Sequence, residues 1–191
     1  MESNSRKTQI LKEIFGYDSF RKGQEEIVDQ ILNGRDVLAI MPTGAGKSLC
    51  YQVPALLMSG ITIVVSPLIS LMIDQVKALN EAGVHAAYIN SALTERQITK
   101  ALELAAAGRY KMIYVAPERL LTPRFLDFAC HTELSMVTID EAHCISQWGQ
   151  DFRPSYVKIT EFIRQLPRRP VVSAFTATAT QKVREDILEV L

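Results

Sequence analysis

The chain has 191 residues, nearly half of them hydrophobic and 22% charged, the mix of a globular chain able to bury one sizeable core. Its 21 basic residues balance 21 acidic ones, which excludes long-range attraction to a polyanion, so any nucleic-acid contact must rest on local groups. The three cysteines (Cys50, Cys130, Cys144) and three histidines (His85, His131, His143) show no metal-ligand spacing, a pattern that fits a reducing compartment better than a disulfide framework.

Two helices are predicted first, over residues 8–15 and 23–32. Short runs rich in Val and Ile then alternate with longer amphipathic segments. The runs predict strands at Val37–Ile40, Ile61–Val65, Met112–Val115, 136–139 and 171–174, with a weaker one at Ala86–Ile89. Between them, helices are predicted over residues 47–58, 70–82, 94–107, 156–165 and 180–191, with Ser70 and Thr94 as N-caps. Near-continuous apolar strands separated by helices imply a mostly parallel, doubly wound α/β sheet with helices on both faces, built as one domain over residues 1–191. Each of the five clear strands ends in a polar or Pro/Gly-containing cluster. A parallel sheet brings such clusters to one edge, where open α/β folds bind ligands.

The first cluster is Met41-Pro-Thr-Gly-Ala-Gly-Lys-Ser48, between a predicted strand and a predicted helix. That context suits a phosphate loop. Thr43, Gly44, Ala45 and Gly46 would cradle phosphate oxygens with backbone N–H groups, because glycine removes the Cβ from the inner wall. Lys47 would pair with the β- and γ-phosphates, and Ser48 would ligate Mg²⁺. A chance Gly-Lys-Ser is the bland alternative, and Met41 departs from the glycine usual at the first position.

A second cluster follows an apolar strand that runs into Asp140-Glu-Ala-His143. Asp140 would hold Mg²⁺ opposite Ser48, and Glu141 would polarise the attacking water as general base. The alternative is an acidic pair capping a helix start. His143 reads as a link from the nucleotide to the Thr176-Ala-Thr178 loop. The chain's only tryptophan, Trp148, lies in Cys144-Ile-Ser-Gln-Trp-Gly-Gln-Asp-Phe-Arg-Pro154 with Phe152 and Arg153. This polar, Gly-containing stretch has no period that would bury an aromatic. Exposed rings beside Arg suit base stacking, and a role in roofing the core is the alternative.

As a set, these residues resemble the superfamily 2 helicases, and within them the RecQ family of DNA helicases. The resemblance runs from about Ile10 to Leu191. Phe15-Gly-Tyr-Asp-Ser-Phe-Arg-Lys-Gly-Gln24 is similar to the family's motif 0, which implies that Arg21 and Gln24 contact the nucleotide, Gln24 at the adenine edge. The segment from Val65 to Gln75 resembles motif Ia, and Ala116-Pro-Glu-Arg-Leu120 resembles motif Ib. Asp140 to His143 is similar to the DEAH form of motif II, and Phe175-Thr-Ala-Thr-Ala179 to motif III. The loop from Cys144 resembles the aromatic-rich loop that couples DNA contact to ATP turnover in RecQ proteins, although many bacterial members carry His at Gln150.

The resemblance implies a RecA-like ATP-binding motor domain of a 3′–5′ DNA helicase, serving recombination and repair. Its ligands would be ATP and Mg²⁺, and its partners single-stranded and duplex DNA and a second RecA-like domain. Ser66, Trp148, Phe152, Arg153, His143, Thr176 and Thr178 would contact DNA or couple it to ATP. The second domain's Gln-x-x-Gly-Arg-x-Gly-Arg pattern is not in this sequence, so the chain is expected to be a fragment or truncated product, nearly inert as a motor. No membrane role is expected, since no apolar run is long enough to span a bilayer and the N-terminus does not read as a signal peptide. Localisation is expected to be cytoplasmic, with the nucleoid, in a bacterium and nuclear in a eukaryote. An RNA helicase and a nucleotide-switched binding module remain the alternative readings.

Overall fold

The computed structural model describes residues 2–149 and 151–191, with backbone alone over residues 2–5. Six strands, β1 (Val37–Ile40), β2 (Ile61–Val65), β3 (Ala86–Ile89), β4 (Met112–Val115), β5 (Leu134–Ile139) and β6 (Val171–Thr176), join in one sheet. The order is β1-β6-β5-β2-β4-β3 and every pairing is parallel. Parallel neighbours need crossovers, and helices supply them. They are α1 (Glu2–Phe15), α2 (Gln24–Leu32), α3 (Lys47–Leu57), α4 (Ile69–Glu81), α5 (Glu95–Ala106), α6 (Pro123–Cys130), α7 (Pro154–Gln165) and α8 (Gln181–Val190).

Alternation along the strands divides the core in two. Ile61, Ile63 and Val65 of β2 point to the face covered by α5–α8, among Leu102, Phe125, Phe162 and Ile187. Val64 points to the other face with Met112, Met136 and Phe175, under Tyr51 of α3 and Met72 of α4. Both faces are covered by packed side chains, which is why the strands read as continuous apolar runs. At roughly 1.5–3 kcal/mol for each large buried side chain, this double coverage supplies the main stabilisation.

The predicted strands stand, with β5 starting two residues earlier and β6 ending two residues later than expected. Thr94 caps α5 as predicted, in a reciprocal box. Its Oγ1 accepts from Gln97 N at 3.3 Å, and its own N donates to Gln97 Oε1 at 2.8 Å. Ser70 is not an N-cap. Helix α4 starts at Ile69, so Leu68 takes the cap position, with no side-chain hydrogen bond. Helix α6 was not predicted. At eight residues with Pro at its start, it offers too few turns for a clear 3.6-residue period.

Candidate active site

The ends of β1, β2, β5 and β6 lie side by side, so the loops leaving them meet at the carboxyl edge of the sheet. There a cleft of about 370 Å³ is lined by Arg21, Gln24, Thr43, Lys47, Ser48 and Asp140, with Glu141 at its rim. All but one of the residues predicted for the nucleotide and its metal line this space. Ala45 enters through its carbonyl, which accepts from Gln24.

The phosphate loop takes its shape from two glycines. Gly44 and Gly46 have φ of 82° and 78°, the left-handed region that other residues enter at a cost. Gly46 ends the loop and α3 begins at Lys47, so the first N–H groups of the helix face the cleft. Met41 at the loop's first position is buried in the core among α3 side chains. Its departure from glycine therefore leaves the cradle untouched.

The segment from Phe15 to Gln24 fastens onto this loop. Arg21 Nη1 donates to Gly44 O at 2.6 Å. The Gln24 amide donates to Ala45 O at 3.0 Å and Gly46 O at 3.2 Å, while its Oε1 accepts from Arg21 N at 2.8 Å. Gln24 is 1% exposed. Both residues predicted to read nucleotide thus brace the loop's backbone here. Tyr17 lies 48% exposed on the same cleft, a neighbouring aromatic that its place in the motif could have revealed.

Asp140 and Glu141 arrive from the tip of β5. Asp140 is 8% exposed, and its backbone is held by Tyr156, whose hydroxyl donates to Asp140 O at 2.9 Å. Burial first, and the charge of Glu141 second, raise the Asp140 carboxyl above its ordinary value against the pull of Lys47. Glu141 stands at φ 51°, the sole non-glycine residue with positive φ among those described. Such a conformation costs on the order of 1–2 kcal/mol and persists only where neighbours over-determine it. Here Glu141 N donates to Asp140 Oδ1 at 3.0 Å, and Lys47 Nζ lies 3.5 Å from Glu141 Oε1.

His143 joins Glu141 to the end of β6. Its Nδ1 is 2.9 Å from Thr176 Oγ1 and 3.4 Å from Glu141 Oε2. Thr176 Oγ1 donates to Thr178 O at 3.0 Å, so it must accept from His143, which assigns the Nδ1–H tautomer.

The aromatic segment folds back on this turn. Ser146 N donates to His143 O at 3.2 Å, and Gly149 N to Ser146 O at 3.0 Å. A Cβ at Gly149 would collide with His143 O. Trp148 is 63% exposed and does not roof the core. Phe152 is half-buried, and Arg153 pairs with Asp151 at 2.9 Å and reaches Pro67 O at 3.4 Å. Gln150 lies outside the described residues. Ser66, just after β2, is 1% exposed and lines the cleft.

Sequence reading missed a buried polar layer behind the cleft. Gln52 of α3 donates to Gln75 Oε1 and to the Tyr114 hydroxyl, each at 3.0 Å, and Tyr51 meets Tyr114 at 3.3 Å. Burial pushes the Tyr114 hydroxyl up to about 12 and raises that of Tyr51. These groups come from three separate elements, so no local pattern announces them.

The profile of the DEAD/DEAH box helicase family matches residues 21–187. The chain belongs to this family. Among individual DEAD/DEAH relatives, the ATP-dependent DNA helicase RecQ of Bacillus subtilis is 51% identical over 187 residues, covering 97% of this chain. That of Haemophilus influenzae is 48% identical over 179 residues, covering 94%. The chain spans 32% and 29% of those two proteins. A solved structure described as the helicase MrfA bound to DNA and AMPPNP superposes with a TM-score of 0.75, at 17% identity. The superposition covers 96% of this chain and 28% of that one, and it shows a shared RecA-like fold.

Proposed function

We propose that this chain is the nucleotide-binding motor half of a RecQ-type DNA helicase, turning over ATP with a second RecA-like domain and moving 3′ to 5′ along DNA. The observation that carries the reading is the Lys47–Glu141 contact across the cleft, with Asp140 and Ser48 beside it. A triphosphate seated on the Gly44–Gly46 loop would bring its terminal phosphate toward Lys47. The ammonium would then exchange Glu141 for phosphate oxygens, leaving the Glu141 carboxylate free to accept a proton from water.

Magnesium fits the residues present. Ser48 and Asp140 offer hard oxygen donors, and a divalent cation would offset both the burial of Asp140 and its repulsion with Glu141. When bound, the ion would neutralise charge on the phosphates. His143 would report the state of Glu141 to Thr176, and the Ser146–Gly149 turn would carry a shift at Trp148 back to the same histidine. Bases would stack on Trp148, with Phe152 and Arg153 alongside. An arginine finger from the second domain would add roughly 10³–10⁵ in rate, which makes this half alone slow.

The test is ATP turnover by a protein carrying both motor halves, with single-stranded DNA, RNA or neither. Strong stimulation by DNA and little by RNA supports the reading. Equal stimulation by both refutes the DNA assignment, and none by either leaves a nucleotide-switched binding module.

A further inference from the structure

Trp148 is exposed, yet one of its faces is occupied. Lys182 of α8 places Nζ 3.2 Å from the centroid of the indole ring. The same helix holds the base of the loop, where Ser146 Oγ donates to Asp186 Oδ2 at 2.6 Å and accepts from Trp148 N at 3.1 Å. Lys182 and Asp186 are one helical turn apart, so both reach the loop from one face of α8. That helix starts from the Thr180 cap, two residues after the Thr178 carbonyl that receives the Thr176 proton. A groove of about 470 Å³ lies alongside, lined by Ile40, His143, Trp148, Gly149, Thr178 and Val183.

A ring face cannot hold an ammonium and a nucleobase at once. We infer that Lys182 is a displaceable occupant of the Trp148 stacking face, a positioning residue that holds the DNA-free loop until a base takes its place. The Ser146–Asp186 bond is the fixed end of this arrangement and the Lys182–Trp148 contact the releasable end. An exposed cation–π contact is weak enough for base stacking to win, since stacking is worth two to three times as much. The inference rests on the stacking role proposed for Trp148.

Trp148 is the chain's only tryptophan, so indole emission from this chain reports the surroundings of that one ring. Lys182 is exposed, and Lys182→Met keeps the stem without the charge. In the DNA-free protein this variant should shift the indole emission, and Lys182→Arg should restore it. Oligothymidylate should quench both the unaltered protein and the Met variant. It should bind the Met variant about two- to fivefold more tightly, the equivalent of about 0.5–1 kcal/mol of removed competition. Weaker binding by the Met variant would make Lys182 a phosphate contact and overturn the inference. Equal binding, or an unchanged DNA-free spectrum, would overturn it while leaving stacking intact. Absence of quenching in either protein would remove the stacking role itself, and the inference with it.

Discussion

Gly46→Ala tests how the phosphate loop is held. Gly46 has φ 78°, and a Cβ there would collide with Gln24 Nε2. Two costs separate cleanly. The left-handed backbone costs an alanine roughly 1–2 kcal/mol. The collision drives the Gln24 amide from the Ala45 and Gly46 carbonyls, two hydrogen bonds of about 1 kcal/mol each. Because Gln24 is 1% exposed, its displaced amide finds no water, so the total should reach about 3–5 kcal/mol. With Gln24→Ala already in place, only the backbone term of about 1–2 kcal/mol remains. Urea unfolding of the four proteins, followed by far-ultraviolet circular dichroism, gives the coupling directly. A coupling of about 2–3 kcal/mol is expected. One under about 0.5 kcal/mol, the range for independent sites, would refute the clamp between Gln24 and the loop.

Four further outcomes follow from the structure. Trp148→Ala should lower stability by less than about 1 kcal/mol, against about 3–5 for a buried tryptophan, yet lose most DNA stimulation of turnover; a large drop in melting temperature would make the residue structural. Asp140 should couple stability to pH, because a carboxyl raised in the folded state contributes stability below its unfolded value and loses it as pH rises through the folded one. Asp140→Asn should therefore melt higher than the unaltered, nucleotide-free protein at pH 7. Magnesium affinity should weaken on acidification at a higher pH than an exposed aspartate would give, and a calorimetric titration across pH showing no such onset would contradict the buried carboxyl. Burial pushes the Cys50 and Cys144 thiols up to about 12, leaving a thiolate fraction of roughly 10⁻⁴ at pH 8. One thiol of three should then react with a disulfide reagent before unfolding, and prompt reaction of all three would argue against the burial.

Much of this was legible because the signals are local. The apolar runs gave the strands to within two residues, and the phosphate loop and Asp140–Glu141 announced themselves by what precedes and follows them. Ser70 misled because a polar residue near a helix start looks like a cap, whereas the helix begins one residue earlier and draws its stability from Met72, Val76 and Leu79 in the core. The strand order, with β1 at the edge, comes from how the two faces of the sheet are covered, which no window of sequence contains. The Lys182–Trp148 contact and the Tyr51–Tyr114–Gln52 layer join residues tens of positions apart. Only the folded chain brings them together.

In the proposed mechanism Glu141 activates water in a cleft whose phosphate grip is supplied by other groups. The direct measurement compares Glu141→Gln with the unaltered sequence in a protein carrying both motor halves, reading ATP affinity and steady-state hydrolysis on the same samples. Affinity should stay within a fewfold and hydrolysis should fall by about 10²–10⁴, the contribution of a positioned base. Hydrolysis within tenfold of the unaltered protein would contradict that mechanism.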